Sequence, residues 1–463
     1  MDRHPLDSLP DPQPSDAFQH IRRLVAATPA KVVVLDDDPT GSQTMHGVDV
    51  HAEWTVASLM GALRDPRPCF YLLTNSRSLD VLEAANLSRT IARNLAAAGR
   101  ETGVPFTVVS RSDSTLRGHF AAELDALEEG LGGRIDARIV IPAFFEGGRY
   151  TIGDVHYVDE GDRLVPAADT EYARDRAFGY RSSNLRQWIE EKTLGAVPAS
   201  RVESIAIETL RSPGGHEAVT GRLLAAPRGS YVIVNAAAYP DLDVFVRGLL
   251  EAEAAGRRFL LRTAASFVRV RSGVEPKPVL PPGRVFPATG RGILVVAGSY
   301  VGRTTAQLGS LLQLPGTDPV EVRVGLLAYP RTRDPEVGRA AEEATASLRA
   351  GRVAVVFTSR ELESALGSAG DLPAGRVVSD ALVAIVRAIP ERPRCLIAKG
   401  GITSCEIAIR ALGMRRSTVV GQAAPGVPVW ELGPESRLPG LAFVVWPGNV
   451  GGADALRDLV RTA

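Results

Sequence analysis

Four short stretches in the first third of this chain are dense in groups that bind and activate small polar acids. They are Asp36-Asp37-Asp38-Pro39-Thr40-Gly41, Asn75-Ser76-Arg77, Arg111-Ser112-Asp113-Ser114-Thr115-Leu116-Arg117 and Glu146-Gly147-Gly148-Arg149. Adjacent carboxylates at the end of a buried strand are electrostatically costly unless something positive or protic is bound there. A guanidinium holds a carboxylate with two parallel bonds, which an ammonium does less well. Such a set suits a small polyhydroxylated acid better than an apolar ligand. Asp36, Asn75, Arg77, Arg111, Arg117 and Arg149 are the substrate-binding candidates, and Asp37 and Asp113 the catalytic ones. Each also has a plainer reading. Asp, Pro and Gly form turns, so at least one Asp of the first stretch is expected to act only as a cap. Asp113 can cap a helix start while Arg117 is solvated, and Asn75, Arg77 and Arg149 can each belong to an ordinary turn. Strand side chains alternate faces, so Asp36 and Asp37 point the same way only if the strand has already ended.

Each stretch follows an apolar, strand-forming run, at residues 32–35, 70–73, 106–109 and 139–141. In a parallel α/β sheet, loops leaving the carboxyl ends of the strands converge on one crevice. Helical patterns at 79–98 and 121–130 lie between these runs, and the third stretch is expected to start a helix at about Leu116. Strand and helix patterns in alternation indicate βαβ units and a largely parallel sheet. Further strands are expected at 231–235 and 259–262. Closely spaced prolines then mark a boundary at 271–290, because they remove backbone donors and resist both helix and central strand. The expected organisation is α/β, with two domains, each a largely parallel sheet flanked by helices. Residues 1–30 form an N-terminal extension, 31–270 the first domain, 271–290 a linker and 291–463 the second domain.

Beyond the boundary, strands run into small, glycine-bearing loops. AGSYVGRTTAQL places Gly298 and Ser299 on a strand-to-helix turn, AKGGITSCEIAIRAL places Gly400, Gly401, Thr403 and Ser404 on another, and PGNVGG carries Gly448. Glycine lets a ligand approach the main chain, and amides at a helix N-terminus favour phosphate. The three together point to a phosphate cradle, although Gly-Ser turns between strand and helix are common. No Gly-Lys dipeptide occurs, which excludes a Walker A loop, and no strand is followed by G-x-G-x-x-G. Lys399 either neutralises a phosphate or is a solvated strand-end lysine. His46, His119 and His156 have no metal-ligand spacing, so core or surface roles are expected for them, and no protein metal site is predicted.

The 463 residues are too many for one ordinary core. Charged residues make up 23% and hydrophobic ones 45%, the balance of a globular protein, and Lys+Arg 53 against Asp+Glu 53 argues against a nucleic-acid partner held by a basic surface. Almost all positive charge is Arg, the lysines being Lys31, Lys192, Lys277 and Lys399. Cys69, Cys395 and Cys405 have no metal spacing and suit a reducing compartment. No run has signal-peptide or membrane-spanning character, so a cytoplasmic protein without a membrane partner is expected.

At this point the chain resembles the four-carbon acid sugar kinases. The resemblance rests on DDDPTGSQT, RSDSTLRG, IPAFFEGGRYTIGDVHYV, AGSYVGRTTAQL, AKGGITS and PGVPVW followed by PGNVGG, in the family's order from about residue 31 to 455. It implies a sugar-acid-binding N-terminal domain, a nucleotide-binding C-terminal domain and ATP-dependent phosphorylation of a terminal hydroxyl of a 3-oxo-tetronate, threonate or erythronate type acid. By the same resemblance Ser299, the turn of Gly400, Gly401, Ile402 and Thr403, and Gly448 match ATP-contacting positions. Asp37, Arg77, Arg111 and Asp113 match substrate-side motifs. Typical members have Ser-Gly-Asn-Phe-Gly where this chain has Pro447-Gly448-Asn449-Val450-Gly451, and often Lys where it has Arg111. These departures bear on the substrate more than on the reaction class.

The expected mechanism follows. Arg77 and Arg111 hold the acid's carboxylate, Asp37 takes the proton of the attacking hydroxyl, and Mg²⁺ and glycine-rich amides neutralise the phosphates of ATP presented across an interdomain cleft. The linker acts as a hinge that excludes water on closing. A catalytically silent sensor of the same ligands, a kinase for a branched acid sugar, and a dehydrogenase or aldolase remain alternatives. A homodimer is expected from the prevalence of symmetric pairs.

Overall fold

The computed structural model of the chain describes residues 5–12, 15–28, 30–133, 135–161, 163–298, 302–359, 372–448 and 450–463. Its contacts divide it into two compact units, Met1–Thr44 with Glu53–Pro276 and Met45–Ala52 with Lys277–Ala463. In chain order the strands up to the boundary are β1 (Lys31–Asp36), β2 (Val48–His51), β3 (Cys69–Leu73), β4 (Phe106–Arg111), β5 (Ala137–Ile141), β6 (Arg149–Ile152), β7 (Val155–Asp159), β8 (Leu164–Pro166), β9 (Glu203–Ile205), β10 (Ser230–Val234) and β11 (Phe259–Thr263). Those after it are β12 (Ile293–Ala297), β13 (Thr317–Val322), β14 (Val353–Thr358), β15 (Cys395–Lys399), β16 (Arg416–Ala424), β17 (Val427–Leu432) and β18 (Ala442–Trp446).

In the first unit the strands pair in the order β3-β1-β4-β11-β5-β10-β9, all parallel. Runs such as Lys31-Val-Val-Val-Leu-Asp36 are buried along their whole length, as expected for a parallel sheet covered on both faces. One face packs on the helices Val56–Arg64, Val81–Thr102 and Phe120–Leu131, through Leu59, Ile91, Leu95, Leu124 and Leu127 against Val33, Leu35, Phe70 and Leu72. The helix Val81–Thr102 begins at a capping box in which Asp80 accepts from the Leu82 and Glu83 amides, and Gly103, at φ 69°, ends it. A separate antiparallel sheet, β6-β7-β8, completes the unit.

The second unit's strands run β13-β14-β12-β15-β18-β17-β16-β2, parallel as far as β18 and antiparallel from β17 onward. Its core gathers Val295, Ile397, Val429, Val444 and Trp446 with Leu308 and Leu311 of the helix Gly302–Leu311. Both units are α/β, each built on a largely parallel sheet flanked by helices. No helix among the described residues is long and apolar enough to cross a membrane.

Five features differ from the sequence-based expectation. The strand expected at 106–109, β4, continues through Ser110 to Arg111, so Arg111 is a strand residue. The helix after it starts at Phe120 rather than about Leu116, because Leu116 (φ 67°) and Gly118 (φ 119°) hold the chain in left-handed backbone that no helix continues. The Val48–His51 strand, unnoticed in the sequence, interrupts the first unit and pairs with β16 of the second. The proline-rich stretch is divided: the units part after Pro276, and Val285 and Phe286 are already buried in the second core. Residues before β1 include the helix Ala17–Ala27, which buries Ala17 and Ile21 within the first unit.

Candidate functional site

Register places Leu73, Asp36, Arg111, Thr263 and Ile141 side by side at the carboxyl ends of β3, β1, β4, β11 and β5. The loops that follow therefore leave one edge of the sheet. β1 ends at Asp36, so strand alternation no longer separates Asp37 from it, and both carboxylates reach the same guanidinium. Arg111 Nη1 lies 3.1 Å from Asp36 Oδ1 and 3.8 Å from Asp37 Oδ1. The turn Pro39–Ser42 folds back over Asp36 so closely that a Cβ at Gly41 would stand 2.0 Å from Asp36 Oδ2, which only glycine permits. Asp38 caps that turn, its Oδ1 accepting from the Thr40 amide at 2.8 Å, and also pairs with Arg77 Nη2.

Arg77 gathers the rest. Its Nε is 3.4 Å from Asp37 Oδ2 and its Nη1 3.7 Å from Asp113 Oδ1. Asp113 in turn accepts from the Thr115 hydroxyl and from Arg117 Nε at 2.6 Å. Arg117 is braced by Asp175 at 3.6 Å and lies over the Tyr172 ring at 5.2 Å. Asp36, Asp37, Asp38, Arg77, Arg111, Asp113 and Arg117 thus form one continuous ion-pair chain. Asn75 contributes the turn: it sits at φ 50° and its side-chain amide donates to Ser78 Oγ at 3.1 Å. Arg149 opens β6 on the separate sheet, where it is buried and its charge acts on His156 and Tyr150. Glu146, of the same stretch, accepts from Tyr239 Oη at 2.5 Å and from Ser266 Oγ at 3.2 Å.

The environments of the carboxyls differ. Burial pushes Asp36 up to about 8 against the pull of Arg111, and burial also raises Asp37 despite Arg77, Arg111 and Arg262. Asp113, although buried, is held well below the ordinary carboxylate range by Arg117 and Arg77 and by its hydrogen bonds. Asp37 has one oxygen engaged, with Ser112 Oγ donating to Oδ2 at 2.5 Å, while its buried Oδ1 has no hydrogen-bond partner. His156 is fully buried and neutral in this setting: Thr151 Oγ1 donates to Nδ1 at 3.0 Å, Nε2 donates to the Ser114 carbonyl at 2.7 Å, and burial takes it down to about 4.

Behind this chain lies a group the sequence reading passed over. Arg262 of β11 donates to Ser112 Oγ (2.6 Å) and Ser110 Oγ (2.8 Å) and pairs with Glu123 at 2.7 Å; Ser76 Oγ donates to Glu123 at 2.5 Å. The available signal was a charge inside a buried apolar run, Phe259-Leu-Leu-Arg-Thr263, and a glutamate on the apolar face of Phe120–Leu131. A cavity of about 510 Å³ lies elsewhere, at the opposite ends of these strands, lined by Leu24, Val32, Phe106, Ile135, Leu250 and Phe259, and contains none of these groups.

In the second unit Ala297, Lys399 and Trp446 are in register at the ends of β12, β15 and β18, so the three glycine-bearing turns leave one edge. A Cβ at Gly298 would meet Thr403 Oγ1 at 2.9 Å and Leu382 Cδ1 at 2.8 Å, so the first turn needs glycine to approach the second. Gly400, at φ 102°, donates to the Trp446 carbonyl at 2.8 Å and leads into the helix Gly401–Glu406, on whose first turn Ile402 is half exposed. Ser299 lies outside the described residues. A Cβ at Gly448 would meet nothing within 4 Å, and Gln307 Nε2 holds the loop beyond it through the carbonyls of Val450, Gly451 and Gly452 at 3.1, 3.1 and 2.9 Å. Lys399 is not solvated. It is 0% exposed, its Nζ donates to the Pro447 carbonyl at 3.1 Å, and burial pushes it down to about 7.

Comparison with known proteins agrees with this division. Residues 32–271 match the family described as a sugar-binding N-terminal domain, and residues 294–456 the one described as a nucleotide-binding C-terminal domain. The chain is 26% identical over 408 residues to D-erythronate kinase of Heliobacterium modesticaldum, covering 86% of this chain and 83% of that one. It is 27% identical over 391 residues to D-threonate kinase of Cupriavidus necator, covering 80% and 85%. A crystal structure of a Salmonella typhimurium LT2 protein shares the fold, with a TM-score of 0.68 at 17% identity over 93% of this chain and 98% of that one.

Proposed function

We propose, from the premise that this chain belongs to the four-carbon acid sugar kinase family and is a phosphotransferase acting on a sugar-acid hydroxyl, that its first unit binds a tetronate-type acid, its second unit binds ATP, and the γ-phosphoryl group passes to a terminal hydroxyl of the acid. The observation that carries the assignment of roles is the carboxyl of Asp37. One of its oxygens is fixed by Ser112 and the other is buried without a donor, and burial brings its proton affinity closer to the working range of a general base. In the reaction the hydroxyl O–H bond breaks and Asp37 Oδ1 accepts the proton. The oxygen's electron pair forms the new bond to the γ-phosphorus, and ADP leaves with the pair of the bond that breaks.

Arg77 and Arg111 engage the acid's carboxylate. In support, Arg111 Nε is a buried donor without a hydrogen-bond partner. Asp36, Arg117, Asn75 and Arg149 complete the substrate side, Asn75 through its turn and Arg117 through Asp113. Asp113 has a strongly stabilised negative charge, which makes it a poor base, so its role is to hold Arg77 and Arg117 in place.

On the nucleotide side Gly298, Gly400, Gly401, Ile402, Thr403 and Gly448 form the phosphate-facing turns, Ser299, outside the described residues, is assigned to the same side by the family resemblance alone, and Lys399 is the cation beneath them. Thr403 and the backbone groups of these turns are neutral oxygen and amide donors, and among the described residues no group of three or more His, Cys, Asp or Glu could hold a metal ion. That donor set fits Mg²⁺ carried by the nucleotide, through phosphate oxygens and water, and when bound the ion would neutralise phosphate charge. A cytoplasmic setting, where ATP is at hand, fits the same reading.

The test is ADP release with Mg²⁺ and ATP over D-erythronate, D-threonate, 3-oxo-tetronates and branched acid sugars. Turnover with one acid well above the acid-free rate supports the reading and names the substrate. ATP binding with no turnover on any of them would favour a kinase for another acid or the sensor reading, and no ATP binding would remove the nucleotide-side assignment.

A further inference from the structure

The reading of Asp37 as base leaves unexplained why a buried ion pair, Arg262 with Glu123, stands directly behind it. We infer that Arg262, locked by Glu123 and acting through the hydroxyl of Ser112, is the positioning residue that fixes which oxygen of Asp37 faces the substrate hydroxyl. This inference rests on the proposed role of Asp37 as base.

The hydrogen bonds run in one direction. Arg262 Nη2 donates to Ser112 Oγ at 2.6 Å, so that oxygen is occupied as an acceptor. Ser112 has one proton to give, with Asp37 Oδ2 at 2.5 Å and the Arg117 carbonyl at 3.2 Å within reach, and the shorter bond to a carboxylate is the stronger. Asp37 Oδ2 is thereby committed, and Oδ1 is the oxygen left for a proton. Arg262 cannot turn away, because Nη1 is held by Glu123 Oε2 at 2.7 Å and Ser110 Oγ at 2.8 Å, while Ser76 holds the other Glu123 oxygen.

Arg262 is 6% exposed, Glu123 5%, Ser112 and Asp37 3% each, so water does not compete for these bonds. Gly118 makes the crossing possible: at φ 119°, a Cβ there would come within 2.8 Å of Ser112 Oγ, 2.9 Å of Arg262 Nη2 and 3.2 Å of Asp37 Oδ2. The charged groups around Asp37 are Asp36 and Asp38 in its own loop, Arg77 after β3, Arg111 on β4, Arg262 on β11 and Glu123 on the helix Phe120–Leu131. Arg77, Arg111 and Arg262 favour its ionised form, and Glu123 opposes it.

The experiment compares the pH dependence of kcat/KM for the full-length wild type, Ser112→Ala, Ser112→Thr, Glu123→Gln and Asp37→Asn. Losing a hydrogen bond to the ionised carboxyl should move the acidic limb of Ser112→Ala upward by about one to two pH units, with the KM for ATP unchanged. Ser112→Thr, which keeps the hydroxyl, should restore the limb. Glu123→Gln removes the charge that opposes ionisation and should move the same limb downward. A structural role alone lowers activity without moving the limb in opposite directions. If Asp37→Asn is inactive while the limb stays in place in whichever of Ser112→Ala and Glu123→Gln folds, the relay is overturned and the base assignment survives. If Asp37→Asn keeps wild-type turnover, the base assignment itself fails.

Discussion

Lys399 should make the free protein less stable, and by an amount that depends on pH. Its ammonium is 0% exposed, one backbone carbonyl is its described acceptor, and burial takes it from 10.5 to about 7. Between those values the unfolded chain holds a proton that the folded chain sheds, so stability rises with pH by about 1.4 kcal/mol for each pH step. At about pH 7 the penalty comes to about 4 kcal/mol, and at about pH 9.5 it falls to about 1.4 kcal/mol. Lys399→Met keeps the side-chain volume and loses one hydrogen bond, worth about 1 kcal/mol. The variant should therefore be more stable than the wild type by about 3 kcal/mol near neutral pH and by less than about 1 kcal/mol near pH 9.5. Urea denaturation measures this in a Trp54→Phe, Trp188→Phe background, where the signal comes from Trp430 and Trp446, both fully buried in the second unit. On the proposed nucleotide-side role of Lys399, Lys399→Met should also weaken ATP binding. Equal stability near neutral pH, or a gap that does not narrow as pH rises, would refute the claim that Lys399 is buried without adequate charge compensation.

Asp37→Asn should lower kcat by about 10²- to 10⁴-fold, the usual contribution of a general base, while calorimetry finds ATP binding nearly unchanged. Gly41→Ala puts a Cβ 2.0 Å from the Asp36 carboxylate, so it should cost about 1–3 kcal/mol of stability and weaken acid binding but not ATP binding, read by thermal unfolding with each ligand in turn. His156 stays neutral in the fold down to about 4 but takes a proton near 6.5 when unfolded, so the unfolded chain binds more protons in that window. His156 alone should cost the first unit about 3 kcal/mol on acidification across it, read as the difference between wild type and His156→Gln in urea midpoints against pH, because the proton that buried Asp36 keeps up to about 8 acts in the opposite direction in both proteins.

What could be read in the sequence was whatever local pattern sets. Runs such as Val32-Val-Val-Leu35 and Ile293-Leu-Val-Val-Ala297 have no other stable use than covered parallel strands, and turn residues at their ends located both sets of loops. The partners of the charged groups could not be read, because they depend on neighbours distant in sequence. That Arg77 and Arg111 also pair with the chain's own aspartates, and that Asp113 accepts from Arg117 and Thr115, could not be seen from their local stretches. The two readings of Lys399, phosphate partner or solvated strand end, could not be separated until β12 and β18 closed around it and excluded the second. The Val48–His51 strand escaped because four residues alternating Val with Asp and His resemble any loop, and only its pairing with β16 gives it a register.

The two units meet ligand charge by opposite means. In the first, Asp36, Asp37, Asp38, Asp113, Asp175 and Glu123 face Arg77, Arg111, Arg117 and Arg262, which leaves two negative charges in excess. The proton that buried Asp36 keeps up to about 8 cancels one of them. Pairing of this kind is costly to break at one partner and cheap to keep whole, which fixes geometry rather than adding stability. On the proposed reading the second unit relies instead on amides and hydroxyls of its glycine-bearing turns with buried Lys399, on which the charge of Arg303 also acts, and Gly448 leaves the main chain open. A carboxylate recognised by guanidiniums needs fixed forks, and a triphosphate that brings its own Mg²⁺ needs close, neutral donors. The glycines follow from this: Gly41 and Gly118 sit where side chains of the charged cluster crowd the backbone, and Gly298 where one turn must touch the next.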